Sequence, residues 1–197
     1  MMAEGNQPPL DDRVISFVKE CLALAPRHPS PSERVAAIAP RMLALLASGH
    51  EFLTDAHCRA DASGYARNLI YRPDDATLSL YALVWTPGQW TPVHDHGTWG
   101  VVGVVQGVLE ERAYLPSDGE IGRDSGIALR PGAINLLTPG SVTTFVPNPD
   151  HIHRTGVPED RKPAISLHLY GNAMNSFHVY DVAAGTRRLI DVPHYES

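Results

Sequence analysis

Two histidines separated by a single residue are the clearest chemical signal in this chain. His94 and His96 lie within residues 88–107, a stretch rich in glycine and valine. Because side chains alternate between faces along a β-strand, both histidines are expected to point the same way. Neutral imidazole is the commonest metal ligand in proteins near neutral pH. The pattern therefore predicts one half of a metal site that faces the inside of a small barrel.

A third ligand has to come from further along the chain. The downstream candidates are His151, His153, His168 and His178. The residues alone do not choose among them, and histidine clusters suit zinc and nickel as well as iron. A hydrolase or isomerase with another metal therefore stays open at this point. So does a barrel whose two inward histidines bond to other polar groups, since an unpaired buried polar group costs about 2–7 kcal/mol.

Composition sets wide limits on what the chain does. Its 197 residues fit one domain with a small addition, and 43% of them are hydrophobic. The net charge of -6 argues against a general nucleic-acid binder, which carries a basic face. No apolar run approaches the roughly 20 residues that cross a bilayer, and the N-terminus lacks the basic and apolar segments of a signal peptide. We therefore expect a cytoplasmic protein without a nucleic-acid or membrane partner.

The first part of the chain predicts a helical lobe. Apolar residues recur at helical spacing over residues 11–24. A capping box formed by Ser30 and Glu33 starts a second helix, which is expected to end near Gly49. Cys21 lies on the apolar stripe of the first helix, where we expect a buried and inert thiol.

The remaining cysteine and three histidines of this part of the chain have no predicted chemical role. Cys58 lies in a polar region and is reactive only if it is accessible. Two cysteines are too few for a disulfide scaffold, which favours a reducing compartment. The histidines in or beside polar connections are predicted to be solvated; they are His28, His50 and His57.

After the helical lobe, short apolar or alternating runs are separated by Pro, Gly, Asn and Asp, which is typical of a β-sandwich or barrel. The predicted strands are residues 68–71, 77–86, 100–106, 108–114, 126–129, 134–138, 143–146, 164–170 and 176–182. Residues 149–163 are polar and predict a hairpin loop. We expect an N-terminal arm and helical lobe over residues 1–60, a barrel domain over residues 61–190 and a tail over residues 191–197.

The glycines around the histidine pair resemble the first motif of the cupins. Gly88 and five further residues precede His94, and Gly107 lies eleven residues beyond His96. That motif continues with a glutamate ligand, but the matching position here is Gly100 or Val101. Without a carboxylate ligand, a divalent ion keeps its full charge, which favours an anionic ligand such as a thiolate.

Two further blocks resemble the thiol dioxygenases of the cysteine dioxygenase family. One is the His153-Arg154 pair followed by Ser-x-His-x-Tyr at residues 166–170, and the other is Tyr65-Ala-Arg67. Together with the histidine pair, three blocks match in the right order over residues 60–182. The helical lobe before the barrel also fits this family.

The resemblance implies a mainly β cupin barrel, a double-stranded β-helix or jelly roll, with an N-terminal helical lobe. It also implies a non-haem Fe(II) centre. The implied metal ligands are His94, His96 and His153. The implied hydrogen-bonded relay beside the metal is Ser166, His168 and Tyr170. Arg67 matches the arginine that binds the substrate carboxylate, for which its planar, two-pronged guanidinium is well suited.

The chain also departs from the family pattern. The best-known members crosslink a cysteine to the relay tyrosine, but the matching position here is Gly100 or Val101, so Tyr170 is expected to be a free phenol. The block around the histidine pair resembles the bacterial branch that includes 3-mercaptopropionate dioxygenases. Members of that branch replace the carboxylate-binding arginine with glutamine and use another arginine after the relay tyrosine. This sequence keeps Arg67 and has His178 near the place of that other arginine.

The function implied by the resemblance is oxidation of a small thiol by O2. The pocket resembles the cysteine type, so L-cysteine is the expected substrate and cysteine sulfinic acid the product. The same chemistry on 3-mercaptopropionate or another small thiol is the nearest alternative. A non-catalytic cupin that binds a metal and acts as a sensor is an alternative from another class. The sequence leaves the oligomeric state open.

Overall fold

The computed structural model describes residues 10–117, 122–147, 151–191 and 195–196, and it begins with two helices. Helix α1 spans Asp12–Leu24 and helix α2 spans Pro31–Ala47, with a short 3-10 turn at Ala25–Arg27 between them. The Asp11 side chain caps α1 by accepting from the backbone N–H of Arg13. The predicted capping box is present at the start of α2. Most of the predicted N-terminal arm lies outside the described residues.

Within the described residues, the rest of the chain forms twelve strands. They are β1 (Ala66–Tyr71), β2 (Ser79–Trp85), β3 (Val93–His94), β4 (Gly100–Gln106), β5 (Leu109–Pro116), β6 (Leu129–Leu137), β7 (Val142–Phe145), β8 (Ile152–Gly156), β9 (Ala164–Tyr170), β10 (Ser176–Asp181), β11 (Thr186–Asp191) and β12 (Tyr195–Glu196). None of the helices in these ranges is long and apolar enough to cross a bilayer.

The strands form two six-stranded sheets. The first has the order β12-β1-β2-β9-β4-β7 and the second the order β11-β10-β3-β8-β5-β6. Neighbouring strands are antiparallel except for β12, which pairs in parallel with β1. Side chains from both sheets line one internal cavity, so the sheets face each other. The predicted fold class, mainly β with an N-terminal helical lobe, is confirmed.

The helices pack on the outside of the first sheet. Apolar residues of both helices join those of β2 and β9 in one core, as with Ile38 and Leu167, neither of which is exposed. Gly103 permits the close approach of α2, because a Cβ there would lie 2.8 Å from Met42 Cγ. Cys21 is fully buried in this core, and burial raises the pKa of its thiol to about 12. The expectation of an inert thiol at this position agrees with that environment.

The polar stretch predicted as a hairpin loop is where the sequence interpretation of the fold fails. Residues 152–156 of that stretch form β8, which pairs with β3 on one side and β5 on the other. Backbone hydrogen bonds from two neighbours hold a strand whose side chains have no apolar signature. Strand β6 contains residues 134–137 of one predicted strand but only residue 129 of the strand predicted at 126–129, and β11 was not predicted.

His57 is a second correction, because it is buried rather than solvated. Its segment packs against β1, where Asn68 Nδ2 donates to the His57 carbonyl at 3.0 Å. The ring Nδ1 accepts from the backbone N–H of Thr54, and burial lowers the pKa of the imidazole. Tertiary packing therefore removes from water a ring that the local sequence left in a polar connection.

Candidate metal centre and its cavity

A small cavity lies between the two sheets. The side chains that line it are Tyr65, Arg67, Leu83, Trp85, Thr91, His94, His96, Val102, Phe145, His153, Thr155, His168, Tyr170, Met174 and Phe177. The polar members are almost all buried. All seven residues that the sequence singled out therefore lie in or beside this one space, including Ser166, which is buried just behind His168.

Three histidines converge in the cavity. His94 of β3 and His153 of β8 are direct cross-strand partners, so their side chains lie on the same face. His96 follows two residues after His94 and returns to that face. His96 Nε2 and His153 Nε2 are 3.2 Å apart, and the ligand atoms of all three rings lie within 4.8 Å of one another.

This geometry fits a metal ion. An ion about 2.1 Å from two imidazole nitrogens, at an angle near that of an octahedron or tetrahedron, holds them about 3.0–3.4 Å apart. The separation between His96 and His153 falls in that interval. His94 Nδ1 lies 3.1 Å from the carbonyl oxygen of Pro92, which leaves Nε2 for a ligand. His96 Nδ1 has no partner among the described residues, and its ring is instead stacked on Phe145 at 3.9 Å between centroids.

The three rings are held in the neutral form that a metal requires. Burial lowers the pKa of His94 and His96 well below the ordinary value, and the neighbouring imidazoles lower it further. Burial also lowers the pKa of His153, although the nearby Glu111 carboxylate opposes this shift. A neutral imidazole keeps a lone pair for a cation, so the site can bind a metal ion without first losing protons.

Glu111 is a site residue that the sequence interpretation missed. Its Oε1 lies 2.6 Å from His153 Nδ1 and 2.8 Å from His151 Nε2. Burial opposes the negative charge, but the two histidine hydrogen bonds outweigh it and hold the pKa of Glu111 below its usual range. A carboxylate on Nδ1 fixes the tautomer of His153 so that Nε2 faces the cavity. The available signal was alternation, since Glu111 shares the inward face of β5 with Leu109 and Ala113.

Two other candidate histidines do not join the centre. His151 is partly exposed and reaches Glu111 rather than the converging rings. His178 lies on β10 and is held by Asp95, the residue between the paired histidines, whose Oδ2 is 3.1 Å from His178 Nδ1. Asp95 also accepts from the Tyr180 hydroxyl at 2.8 Å. The buried Asp95 carboxylate thus links the segment that carries His94 and His96 to β10.

A hydrogen-bonded chain of side chains lies beside the converging histidines. Ser166 Oγ is 2.8 Å from His168 Nε2, and His168 Nδ1 is 3.1 Å from the Tyr170 hydroxyl. Trp85, which the sequence interpretation did not assign, donates its indole N–H to Ser166 Oγ at 3.0 Å. All of these residues project from neighbouring strands β2 and β9 toward the cavity.

The indole of Trp85 sets the direction in which the hydrogen bonds of this series of side chains run. The described partners of Ser166 Oγ are Trp85, which can only donate, and His168. The serine hydroxyl therefore finds an acceptor only at His168 Nε2, which leaves the imidazole proton on Nδ1. His168 Nδ1–H then donates to the Tyr170 oxygen, so the phenol proton is directed away from His168 and toward the cavity. Burial supports this neutral arrangement, because it raises the pKa of Tyr170 and lowers the pKa of His168 to about 3.

The His168 ring should stay neutral, with its proton on Nδ1, in acidic solution. We expect the ring ¹⁵N shifts of metal-free protein to show this tautomer down to a pH of about 5, well below the ordinary histidine pKa. The unfolded chain takes up this proton near 6.5 and the native chain only near 3, so His168 lowers the free energy of unfolding as the pH falls between those values. Trp85→Phe should produce a mixture of tautomers, and an unchanged spectrum would contradict the assigned direction.

Arg67 lies in the same cavity. It is 7% exposed, and its Nη2 donates to the Met174 carbonyl at 2.7 Å. Its guanidinium carbon lies 4.8 Å from the centre of the Tyr81 ring. A buried guanidinium beside three neutral imidazoles makes the cavity suited to a small molecule that carries a negative group.

The glycine at position 100 has a structural consequence. Gly100 is the cross-strand partner of both Phe145 and Tyr170. A Cβ at position 100 would overlap the Phe145 ring, which fills the space beside His96. The absence of a side chain here therefore lets an aromatic ring form one wall of the cavity.

These features define a class of protein, a mainly β two-sheet barrel of the cupin type with a three-histidine centre that fits a metal ion. Residues 42–183 match the family model described as cysteine dioxygenase type I. The chain belongs to the cysteine dioxygenase type I family, as the three sequence blocks predicted.

Curated relatives are distant. The chain is 24% identical to cysteine dioxygenase type 1 from Homo sapiens over 138 residues, which covers 68% of this chain and 64% of that protein. The protein of the same name from Pongo abelii gives the same values. The match thus spans a little under two thirds of the length of these relatives.

Solved structures are similar only in part. A protein with a double-stranded β-helix domain from Klebsiella pneumoniae is 15% identical, with a TM-score of 0.45 over 72% of this chain and 96% of that chain. A Cupin 2 conserved barrel domain protein from Salinispora arenicola is 18% identical, with a TM-score of 0.41 over 60% of this chain and 83% of that chain. The family assignment depends on the sequence match and not on these superpositions.

Proposed function

We propose that this chain is a thiol dioxygenase that oxidises L-cysteine with O2 to cysteine sulfinic acid. The observation that carries the proposal is the meeting of three neutral histidines, a neutral phenol and a buried arginine in one small cavity. Each supplies one thing that the reaction needs: a metal site, a proton donor and an anchor for a carboxylate. The family membership supports the same class of reaction.

In this proposal Fe(II) is the metal, and its ligands are His94, His96 and His153. Bound there, Fe(II) would supply the one-electron chemistry that lets O2 react with a thiolate. Three neutral ligands add no negative charge, so an anionic sulfur is attracted to the centre. Glu111 keeps the His153 lone pair directed into the cavity, as carboxylates behind metal-bound histidines generally do.

Arg67 and Tyr170 handle the substrate. The guanidinium of Arg67 pairs with the cysteine carboxylate through two parallel hydrogen bonds and so holds the sulfur at a fixed position, which is a proximity effect. The phenol proton of Tyr170, directed into the cavity by His168, donates to negative charge that develops on oxygen. The balance is R–SH + O2 → R–SO2H: sulfur loses four electrons, both oxygen atoms form bonds to sulfur, and the proton leaves as the sulfinic acid ionises.

The compartment and the division into domains complete the proposal. Cys21 and Cys58 are both free thiols, which suits a reducing compartment such as the cytoplasm. We assign the reaction to the barrel domain, residues 61–190, with the helical lobe of residues 1–60 as its outer support and residues 191–197 as a tail. Described residues of the tail, Tyr195–Glu196, pair with β1.

Oxygen uptake with a panel of thiols tests the proposal directly. Protein loaded anaerobically with Fe(II) is mixed with O2 and L-cysteine, 3-mercaptopropionate or cysteamine, and the products are identified by mass. We expect L-cysteine to be consumed with one O2 per thiol and to gain the mass of two oxygen atoms, both from ¹⁸O2. Preference for 3-mercaptopropionate would replace the substrate but keep the chemistry. No uptake with any thiol, despite bound iron, would leave a metal-binding sensor.

Arg67→Gln should weaken selection for substrates that carry a carboxylate. Hydrogen bonds to charged groups contribute about 1.5–3 kcal/mol, so we expect kcat/KM for L-cysteine to fall about 10- to 100-fold. Cysteamine, which lacks the carboxylate, should be affected much less. Arg59→Gln, a change at an exposed arginine, is the matched control. If the ratio of kcat/KM for L-cysteine to kcat/KM for cysteamine is the same in Arg67→Gln as in the wild type, Arg67 is not the anchor.

A further inference from the structure

The turn that follows β9 holds an unusual backbone conformation beside the cavity. Met174 has a φ of 47°, in the left-handed region that side chains other than glycine seldom adopt. It is nevertheless buried and lines the cavity. Such a conformation is unfavourable for a residue with a side chain and persists only where the surroundings hold it in place.

Two hydroxyl groups of β2 hold the turn. The Ser79 hydroxyl donates to the carbonyl of Asn172, and the Tyr81 hydroxyl donates to the carbonyl of Ala173 at 2.8 Å. We call this pair of contacts the carbonyl clamp. The turn is also closed locally, because the Met174 N–H donates to the Asn172 side chain at 2.8 Å. The clamp therefore acts on the two residues that immediately precede the strained one.

The Met174 carbonyl, which follows those of Asn172 and Ala173, contacts Arg67, the proposed substrate-binding residue. Met174 O accepts from Arg67 Nη2 at 2.7 Å, so the position of this carbonyl sets one edge of the guanidinium. Tyr81 contacts the same group from below, with its ring 4.8 Å from the guanidinium carbon. The tyrosine thus acts on Arg67 twice, through its ring directly and through its hydroxyl by way of the turn.

We propose that Ser79 and Tyr81 are positioning residues that set the place of Arg67 through the carbonyl clamp. Their consequence is specificity: the clamp fixes the distance between a substrate carboxylate on Arg67 and the sulfur at the metal centre. It therefore selects small thiols whose carboxylate lies at one span from sulfur. This inference rests on the proposed role of Arg67 in the proposed function.

Loss of the clamp should loosen the turn without removing the core. Without its hydroxyl donor, a partly buried carbonyl is left unpaired, and the turn gains by rotating Met174 out of its strained conformation. The Met174 carbonyl then moves, and one of the contacts that holds Arg67 is lost. Tyr81→Phe is the sharp variant, because it removes the hydroxyl and keeps the ring beneath the guanidinium. Ser79→Ala is its companion, and Tyr114→Phe on the other sheet is the control.

Steady-state kinetics give the first test. We expect Tyr81→Phe and Ser79→Ala to raise KM for L-cysteine and 3-mercaptopropionate by about 5- to 20-fold, the order of one lost hydrogen bond, with kcat changed less than KM. With cysteamine as substrate, the kinetics of both variants should match those of the wild type. The kinetics of Tyr114→Phe should match those of the wild type with all three substrates. Added to Arg67→Gln, Tyr81→Phe should cause no further loss for L-cysteine. Additive losses, or an equal loss with cysteamine, would overturn the proposal.

A second measurement separates this inference from the proposed function. In zinc-loaded, diamagnetic protein, the Arg67 side-chain N–H signal should be sharp and protected from exchange with water. Tyr81→Phe should broaden it or speed its exchange, and Tyr114→Phe should not. An unchanged Arg67 signal in Tyr81→Phe would overturn the clamp even if the enzyme is active. Absence of turnover in the wild type would instead overturn the proposed function and leave this measurement valid.

Discussion

His153→Gln should abolish iron binding and oxygen uptake together. The change removes one of three converging nitrogens and leaves His94 and His96 as two ligands on one segment of chain. Loss of a partner behind a ligand typically costs 10- to 100-fold in metal affinity, so loss of the ligand itself should exceed about 100-fold. Metal analysis after gel filtration, together with oxygen uptake on L-cysteine, measures both effects.

His151→Gln is the matched control for that change. The same substitution is made two residues away, at a side chain that bonds to the same Glu111 carboxylate but lies outside the converging set. We expect iron content close to the wild type and an activity loss of less than about 10-fold. If His151→Gln lowers the iron content and activity more than His153→Gln does, His153 is not the third ligand. Circular dichroism of both variants excludes loss of fold as the cause.

Tyr170→Phe should separate turnover from metal binding. The ring and its packing remain, but the cavity loses the phenol proton that His168 directs inward. Proton donation by a positioned group typically contributes 10²- to 10⁴-fold, so we expect kcat to fall by about 100-fold while iron content stays the same. The wild type should show no loss of activity from ionisation of this phenol between about pH 6 and 9, because burial raises the pKa of Tyr170 above its ordinary value near 10.

His168→Gln and Tyr114→Phe complete that experiment. His168→Gln breaks the relay one residue earlier, so turnover should again fall while the metal is retained. Tyr114→Phe removes a phenol from the other sheet and should leave kcat unchanged. Wild-type kcat in Tyr170→Phe would mean that the relay only packs the core. Loss of iron in the same variant would mean that Tyr170 supports the metal centre rather than the transfer of oxygen.

Glu111 explains why the metal centre is more than three histidines. Its carboxylate is buried, carries negative charge and contacts both His151 and His153. Position 100 offers no carboxylate ligand, and Glu111 instead lies behind His153, with Oε1 2.6 Å from Nδ1. It would stabilise a cation held at Nε2 through the imidazole ring without occupying a coordination position, which would leave the centre open for anionic sulfur.

Much of the local arrangement could be predicted from the sequence. The same-face placement of Ser166, His168 and Tyr170 follows from the two-residue repeat of β9, and His96 keeps the same spacing from His94 just beyond the end of β3. Both helices followed from apolar spacing and, for α2, from its capping box. These features depend on neighbours a few residues apart, so short-range geometry is enough to determine them.

Other features of the site could not be predicted from local sequence, because they depend on which strands become neighbours. The third converging histidine lies opposite His94 because β3 pairs with β8, a strand hidden in a polar stretch. Glu111, Trp85 and the carbonyl clamp likewise act across strands that are far apart in sequence. Strand pairing and register depend on the burial of the whole core, because a strand takes the partners and register that bury its apolar face. The sequence by itself therefore determined which side chains share a face, and only the tertiary structure decided which faces meet.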